Sequence, residues 1–540
     1  MRLLRTLHTV RHLRARQLAY RAYYWLRPAP ALSFEVLPNR SADHAAWTAP
    51  PLYPDVLTGD ESLQIFGKEW QIRSEDDWDR VDWPLLVRYN IHYFHALQGR
   101  SAASRTVSLV QLMARWIDEV PAGTKVAWGP YPTSLRISNW VKWSLSGHPL
   151  ELSQRASLCA QARKLSRHVE WHLMGNHLFA NAKALVLSGL YFEGQEADHW
   201  YRQGLQLLTG EVAEQILADG GHFERSPMYH SLIVEDLLDV LNVLRVYTKQ
   251  SDFRWDETVS RMLEWLVRLC HPDGQIGLFN DAAFNVAPEP RQLIDYAVRL
   301  GFEAPSSPII GGYLLEATGY FRHQTAEATT LVDVAAIGPD YIPGHAHADT
   351  LTFEFSLGQQ RIFVDTGTSA YTPLDVRSQE RATTAHNTLS VDGANSSEVW
   401  SSFRVARRAR VSDIEWSTDR LAAAHNGFCR LPGVGKHRRE WNWHDRGLVF
   451  FDHVEGRGKH DVEFFLHCHP DCVVSQDGRW GFRVTSPDKR DVCVQFDEKL
   501  TIELSDGAYA ENFGDRRSNQ VMLAKYQGPL PLDLKTHISW

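Results

Sequence analysis

Three kinds of residue that would settle a chain's class at once are scarce in this one. Cysteine occurs six times in 540 residues and only Cys468 and Cys472 lie close together, so no disulfide framework is expected and the thiols read as reduced or incidental. Basic charge is not in excess: 57 Lys and Arg face 65 Asp and Glu, a formal charge of −8. That balance excludes general affinity for nucleic acid, where a basic face must neutralise phosphates. No apolar run approaches the ~20 residues of a transmembrane helix. The N-terminus also lacks an unbroken apolar stretch with a small-residue cleavage site, so no secretory signal is expected. The expected location is cytoplasmic, with the periplasm as the alternative. Low-complexity tracts and strong internal repeats are missing as well.

What is present is an ordinary globular composition, 44% hydrophobic, over a length that exceeds a single core and implies at least two domains. The 19 Trp and 18 Tyr residues suit either large helical cores or a groove that offers flat rings to sugar faces. Arg2, Arg5, Arg11, Arg14, Arg16, Arg21 and Arg27 all precede the first acidic residue, Glu35, with Leu3, Leu4, Leu7, Val10, Leu13 and Leu18 between them at roughly helical spacing. A basic amphipathic helix of this kind docks on its own domain or makes peripheral contact with an anionic membrane surface.

From about Thr106 to Leu300 apolar residues recur with a period near 3.6, as in Val107, Leu109, Val110, Leu112, Met113 and Trp116, which predicts a series of helices joined by Pro, Gly and Asp turns. Serial helical hairpins form a bundle, a solenoid or a closed toroid. Near Thr329 the period shifts toward two. Short runs such as Leu351 to Leu357, Thr388 to Val391 and Val462 to Leu466 predict strands, in a number that suggests a β-sandwich. The expected domains are a lead-in over 1–97, a helical catalytic domain over 98–320 and an antiparallel β-sandwich domain with a metal site over 321–540.

Three clusters carry chemistry. In Gly344-His345-Ala346-His347-Ala348-Asp349 two imidazoles sit two residues apart, with Asp365 at the end of a following strand and His386 opening a later one. Two His and one Asp on neighbouring strands match a tetrahedral zinc site completed by water. Asn176, in Gly175-Asn176-His177, starts an apolar helix, where it either caps the helix or presents its amide to a ligand. In Glu224-Arg225-Ser226-Pro227-Met228-Tyr229-His230, Ser226 suits a cap and Pro227 a first helical turn. Tyr229 then falls near the positive helix end, beside Arg225, where a tyrosinate would be favoured. The alternative is a core tyrosine.

These five segments, the Asn-His helix start, the Glu-Arg-Ser-Pro-Met-Tyr-His run, the Gly-His-Ala-His-Ala-Asp loop, Val-Asp-Thr-Gly and Ala-His-Asn-Thr, stand in an order that resembles heparinase II/III-like polysaccharide lyases and the related alginate lyases. The resemblance runs from about Trp128 to His469. It implies an incomplete α/α toroid followed by antiparallel β-sheets, and β-elimination on a uronate-containing polysaccharide. By the same resemblance Asn176 and His177 would neutralise the uronate carboxylate, and Tyr229 and His345 would transfer protons. His347, Asp365 and His386 would hold a structural Zn2+. Arg136, Trp140, Arg225 and Arg381 are candidates for holding the anionic sugar chain, with Arg377 and Arg404 as helpers. The partner implied is a uronate polysaccharide or oligosaccharide, of glycosaminoglycan, capsule or exopolysaccharide type. Two rivals remain. A toroid glycoside hydrolase would use paired carboxylates, for which Glu224, Asp236 and Asp281 are available, and a non-catalytic glycan-binding or assembly protein would bind without turnover.

Overall fold

The computed structural model describes residues 2–26, 32–248 and 255–540; Arg27, the last of the N-terminal basic series, lies outside them. Twelve α-helices are described. Two short ones, α1 (Arg2–Val10) and α2 (Ala15–Leu26), precede α3 (Leu85–Ile91), α4 (Thr106–Glu119), α5 (Pro130–Leu145), α6 (Leu152–Arg167), α7 (Gly175–Tyr191), α8 (Gln195–Gln215), α9 (Pro227–Tyr247), α10 (Asp256–Arg268) and α11 (Pro290–Arg299). The twelfth, α12 (Leu374–Glu380), is inserted among the strands. None of the described helices is long and apolar enough to cross a membrane.

The helices form where the periodicity predicts. In α4 the buried side chains are Leu109, Leu112, Met113 and Trp116, the three- and four-residue spacing of one helix face. Neighbours in sequence pack as hairpins, with α7 at the centre against α5, α6, α8 and α9, which gives the incomplete α/α toroid. That central position explains why α7 is buried almost all round. The lead-in is not separate: Leu57, Leu63 and Ile65 belong to the same apolar core as Leu109 and Leu185, so no break falls at residue 98.

Apart from one hairpin in the lead-in (Ser62–Ile65 with Lys68–Gln71), the strands begin after the helices at Gly311 rather than at 321. A five-stranded antiparallel meander (Gly311–Leu315, Tyr320–Gln324, Ala328–Asp333, Phe353–Leu357, Gln360–Phe363) lies next to the toroid. An eight-stranded and a four-stranded antiparallel sheet follow. Their core is built from Phe353, Phe355, Trp441, Phe450, Phe464 and Leu466. Strands Ala328–Asp333 and Phe353–Leu357 are buried on both faces, since they are covered by the toroid on one side and the sandwich on the other. All six cysteines are unpaired.

Candidate active site

The polar groups singled out in the sequence meet where the toroid abuts the sheets. Ser226 caps α9, accepting the Tyr229 amide N–H at 3.2 Å, and Pro227 occupies the first turn. This sets the Tyr229 ring at the helix mouth, where it lies flat against His345, with centroids 3.8 Å apart and planes 15° apart. The Nδ1 of His345 is hydrogen-bonded to Glu224, and the other oxygen of that buried carboxylate accepts the backbone N–H of Asn176 at 3.3 Å. One carboxylate therefore joins the amide of 176 to the imidazole of 345. Burial opposes its ionisation, but His345 outweighs this and holds the Glu224 carboxyl below its usual range. Gly175, at φ +58°, is needed here because a Cβ would meet Glu224 Oε1 at 2.9 Å.

Around this core stand groups that the sequence did not single out. Tyr371 shares a hydrogen bond of 2.9 Å with the Tyr229 hydroxyl. Tyr131 packs on His177 with centroids 4.4 Å apart and planes tilted by 35°, and it reaches the Asn176 side chain, whose Oδ1 is buried without a partner. Glu170 approaches His177 Nδ1 at 3.3 Å. Burial disfavours charge on His177, yet Glu170 overrides it and raises the imidazole pKa. Tyr229 is driven well above the usual phenol range, first by burial and then by Tyr371, Tyr131 and Asp281. The expected tyrosinate is thus corrected to a protonated phenol. Arg225 does not supply the positive charge proposed for it: its Nε donates to Thr318 O at 2.9 Å, and its charged neighbours are Asp333, Asp219 and Asp340.

Three further expectations are corrected by burial. Arg136 lies inside the toroid, donating to Gln161 and to the carbonyls of His92 and Ala127 under the Trp116 ring. Trp140 is fully buried in the same core. Arg381 donates to the carbonyls of Ala346, Ser401 and Ser402, and so clamps the loop that carries His345. None of the three is within reach of a sugar. Arg377 makes a two-pronged ion pair with Asp281 and is buried as well, while Arg404 is exposed over the Trp400 ring.

Behind His345, His347, Asp365 and His386 bring their ligand atoms within 4.8 Å of one another, all buried. His347 Nδ1 and His386 Nε2 have no hydrogen-bond partner. Their other nitrogens are held, His347 Nε2 by Asp281 at 2.8 Å and His386 Nδ1 by Asp365 at 2.7 Å. His347, oriented by Asp281 with its Nδ1 left free, stands as a metal-bound imidazole does, a buried nitrogen left unpaired being otherwise costly, and the facing groups of Asp365 and His386 are the other two donors. The donor set fits a divalent metal such as zinc.

Asp281 links these parts. Its N–H donates to His345 O at 2.9 Å, its carbonyl accepts from the Ser226 hydroxyl, and its carboxylate binds His347 and Arg377. The carboxylates a hydrolase would use are all engaged: Glu224 with His345, Asp281 with Arg377, and Asp236 with Lys183 at 2.7 Å.

A cavity of about 600 Å³ lies between the hairpin carrying Phe66 and Lys68 and the loops at 284–286 and 512–515. Two rows of rings lead from the site to it. Tyr371 packs on Phe513 at 5.2 Å, and Tyr131 on Tyr93 at 5.9 Å and Tyr93 on His95 at 5.5 Å; Phe513 and His95 line the cavity.

Fold and site together define a toroid-and-sheet protein with an imidazole, a phenol and a carboxamide gathered at the junction of its two halves. The chain belongs to the heparinase II/III-like family: the heparinase II/III N-terminus profile matches residues 109–296 and the heparinase II/III-like C-terminal profile residues 312–540. It is 26% identical to a heparin-sulfate lyase of Bacteroides stercoris over 242 residues, 41% of this chain and 36% of that protein. It is 24% identical to a heparin-sulfate lyase of Bacteroides thetaiotaomicron over 381 residues, 62% of this chain and 53% of that protein. The matched part is thus about a third to a half of those curated relatives. Among solved structures, heparinase III superposes with a TM-score of 0.68 at 19% identity, over 97% of this chain and 88% of the other. A heparan sulfate lyase from Pedobacter heparinus gives 0.60 at 16% identity, over 93% and 86%. At such identities the likeness is one of fold.

Proposed function

We propose that this chain is a polysaccharide lyase that cleaves a uronate-containing glycan, of glycosaminoglycan or exopolysaccharide type, by β-elimination. The observation that carries the reading is the stack of Tyr229 on His345, with His345 Nδ1 held by Glu224.

The C5 proton of a uronate is barely acidic while the neighbouring carboxylate is ionised, so something must absorb the charge that develops on it. Donors aimed at that carboxylate do so, and deleting one costs about 10²–10³ in rate. The Asn176 amide and the His177 imidazole, whose charged form Glu170 favours, fill this role. With its Nδ1–H given to Glu224, His345 offers Nε2 as the base. Tyr229, kept protonated by its burial, is the acid. The C5–H bond breaks toward Nε2, a C4–C5 double bond forms, the C4–O4 bond breaks, and O4 takes the phenol proton. The 600 Å³ cavity, separated from Tyr371 by Phe513, has room for an adjoining sugar, with the half-buried Phe66 as a stacking face.

A zinc ion held by His347, Asp365 and His386 would supply a fixed positive centre that pins the loop carrying His345. His345 and Tyr229 do the proton transfer.

The test is a panel of uronate polysaccharides scored for the ultraviolet absorbance of the unsaturated product, with Tyr229→Phe and His345→Ala as controls. New absorbance with the wild-type chain and none with the variants is the expected result. Saturated fragments would point to a hydrolase, and binding without fragments to a glycan-binding protein.

A further inference from the structure

Helix α1 is mounted the wrong way round for an ordinary surface helix. Its polar side faces the protein: Trp400 Nε1 donates to the Thr9 hydroxyl at 3.1 Å, that hydroxyl reaches Val405 O at 3.3 Å and Arg5 faces Glu398 at 3.9 Å, while His12 in the turn that follows faces Asp340 at 3.9 Å. Its leucines point outward. Leu3, Leu4 and Leu7, one helix face by their spacing, are 74%, 62% and 58% exposed. On α2 the pattern continues with Trp25, 85% exposed, and Leu26 at 72%. The hairpin is nevertheless anchored. Arg16 lies over the Trp171 ring at 3.2 Å, Tyr24 stacks on His168 at 4.1 Å, and the buried Gln17 donates to Tyr341 O at 3.4 Å.

The second observation is charge. The chain carries −8 overall, yet no acidic residue precedes Glu35. Arg11, Arg14, Arg16 and Arg21 are exposed on or between α1 and α2, and Arg407, Arg408 and Arg410 come from a distant segment to the same side, with Arg11, Arg408 and Arg410 sharing one cavity. Three of these arginines are paired with nearby acids, Arg407 with Glu398, Arg408 with Asp340 and Arg14 with Glu214, and Arg11, Arg16, Arg21 and Arg410 make up the surplus of positive charge. Exposed leucines and an exposed Trp beside surplus arginines complement a bilayer boundary that is apolar below and anionic above.

We infer that the outer face of α1–α2 is a docking site for an anionic lipid surface. The strip carrying Trp400 and Val405 also presents Phe403 to His345, with 6.3 Å between centroids, so the docking face and the candidate active site share a wall.

The test is co-sedimentation of the full chain with phosphatidylcholine vesicles and with vesicles containing about a third phosphatidylglycerol. Pelleting with the anionic vesicles alone is expected. The triple variant Leu3→Ser, Leu4→Ser, Leu7→Ser, whose side chains are exposed and whose melting temperature should not move, should lose roughly tenfold in bound fraction. The pair Arg11→Glu and Arg21→Glu should also weaken binding and make it insensitive to salt. Equal pelleting with both vesicle types, or none with either, overturns the proposal. So does a concentration-dependent dimer in light scattering that the triple leucine variant abolishes, since the occupant would then be a second copy of the chain.

Discussion

The imidazole of His345 lies parallel to the phenol of Tyr229, 3.8 Å between centroids, and is gripped from behind by Glu224. The proposed base and acid are thus set face to face before any substrate arrives.

Replacing Glu224 by Gln keeps the shape but lets the His345 ring turn and take either tautomer. The expected result is a fall in kcat of about 10² with KM little changed, read from initial rates of product absorbance. A rise in KM at constant kcat would show that Glu224 serves binding instead.

Tyr229→Phe removes the acid and leaves Tyr371 without its partner. A kcat loss of about 10²–10⁴ is expected with unchanged circular dichroism, whereas Tyr371→Phe, which removes only the supporting hydroxyl, should cost about 10-fold or less. Equal losses in the two variants would move the proton-donor role to the pair.

His177 gives a pH dependence of known sign. Its pKa is raised against burial by Glu170, so its charge is full below the ordinary imidazole value and is lost as pH rises through the raised one. The stability and the carboxylate binding that depend on this charge decline over the same window. KM should therefore climb on the alkaline side, and Glu170→Gln should shift that climb to lower pH. A KM profile identical in the two proteins would remove His177 from substrate binding.

Metal analysis of the purified chain should find about one equivalent of zinc, lost in His386→Ala. Chelation should lower the melting temperature and reduce kcat by about 10–100-fold, both restored by added zinc. An unchanged melting curve after exhaustive chelation would dismiss the site.

Arg136 separates packing from binding. Arg136→Ala leaves the carbonyls of His92 and Ala127 and the Gln161 amide without their donor, and should cost about 3 kcal/mol of stability in denaturant titration. KM of the folded fraction should be unchanged. A raised KM without lost stability would return Arg136 to the cleft.

Much of this architecture could be read from residue order. Helix positions followed from apolar spacing, as in α4 and α9, and the cap Ser226 with Pro227 placed Tyr229 at a helix mouth. His347, Asp365 and His386 were recognisable from their residue types and order, although the structure sets them in the loops between strands rather than on the strands themselves. The doubly buried strand Ala328–Asp333 shows no alternation, and in Val434–His444 the inward positions include His437 and Arg439, which hides the period from residue type. Partnerships left no local trace: Glu224 meets His345 across 121 positions and Tyr229 meets Tyr371 across 142. Arg136 and Arg381 were assigned to substrate because side-chain type says nothing of depth. Each instead satisfies a set of buried carbonyls, a task that a guanidinium with five donors performs well.

Asp281 gives the assembly a mechanical character. Through one residue the helix that carries the phenol, the loop that carries the imidazole and the metal-ligand cluster behind them are stitched together. A hinge between the two halves at this spot would have to tear every one of those stitches at once. Under the proposed function a glycan chain would enter beside a junction tied down at this point, and the flexing that admits it is expected in the outer loops.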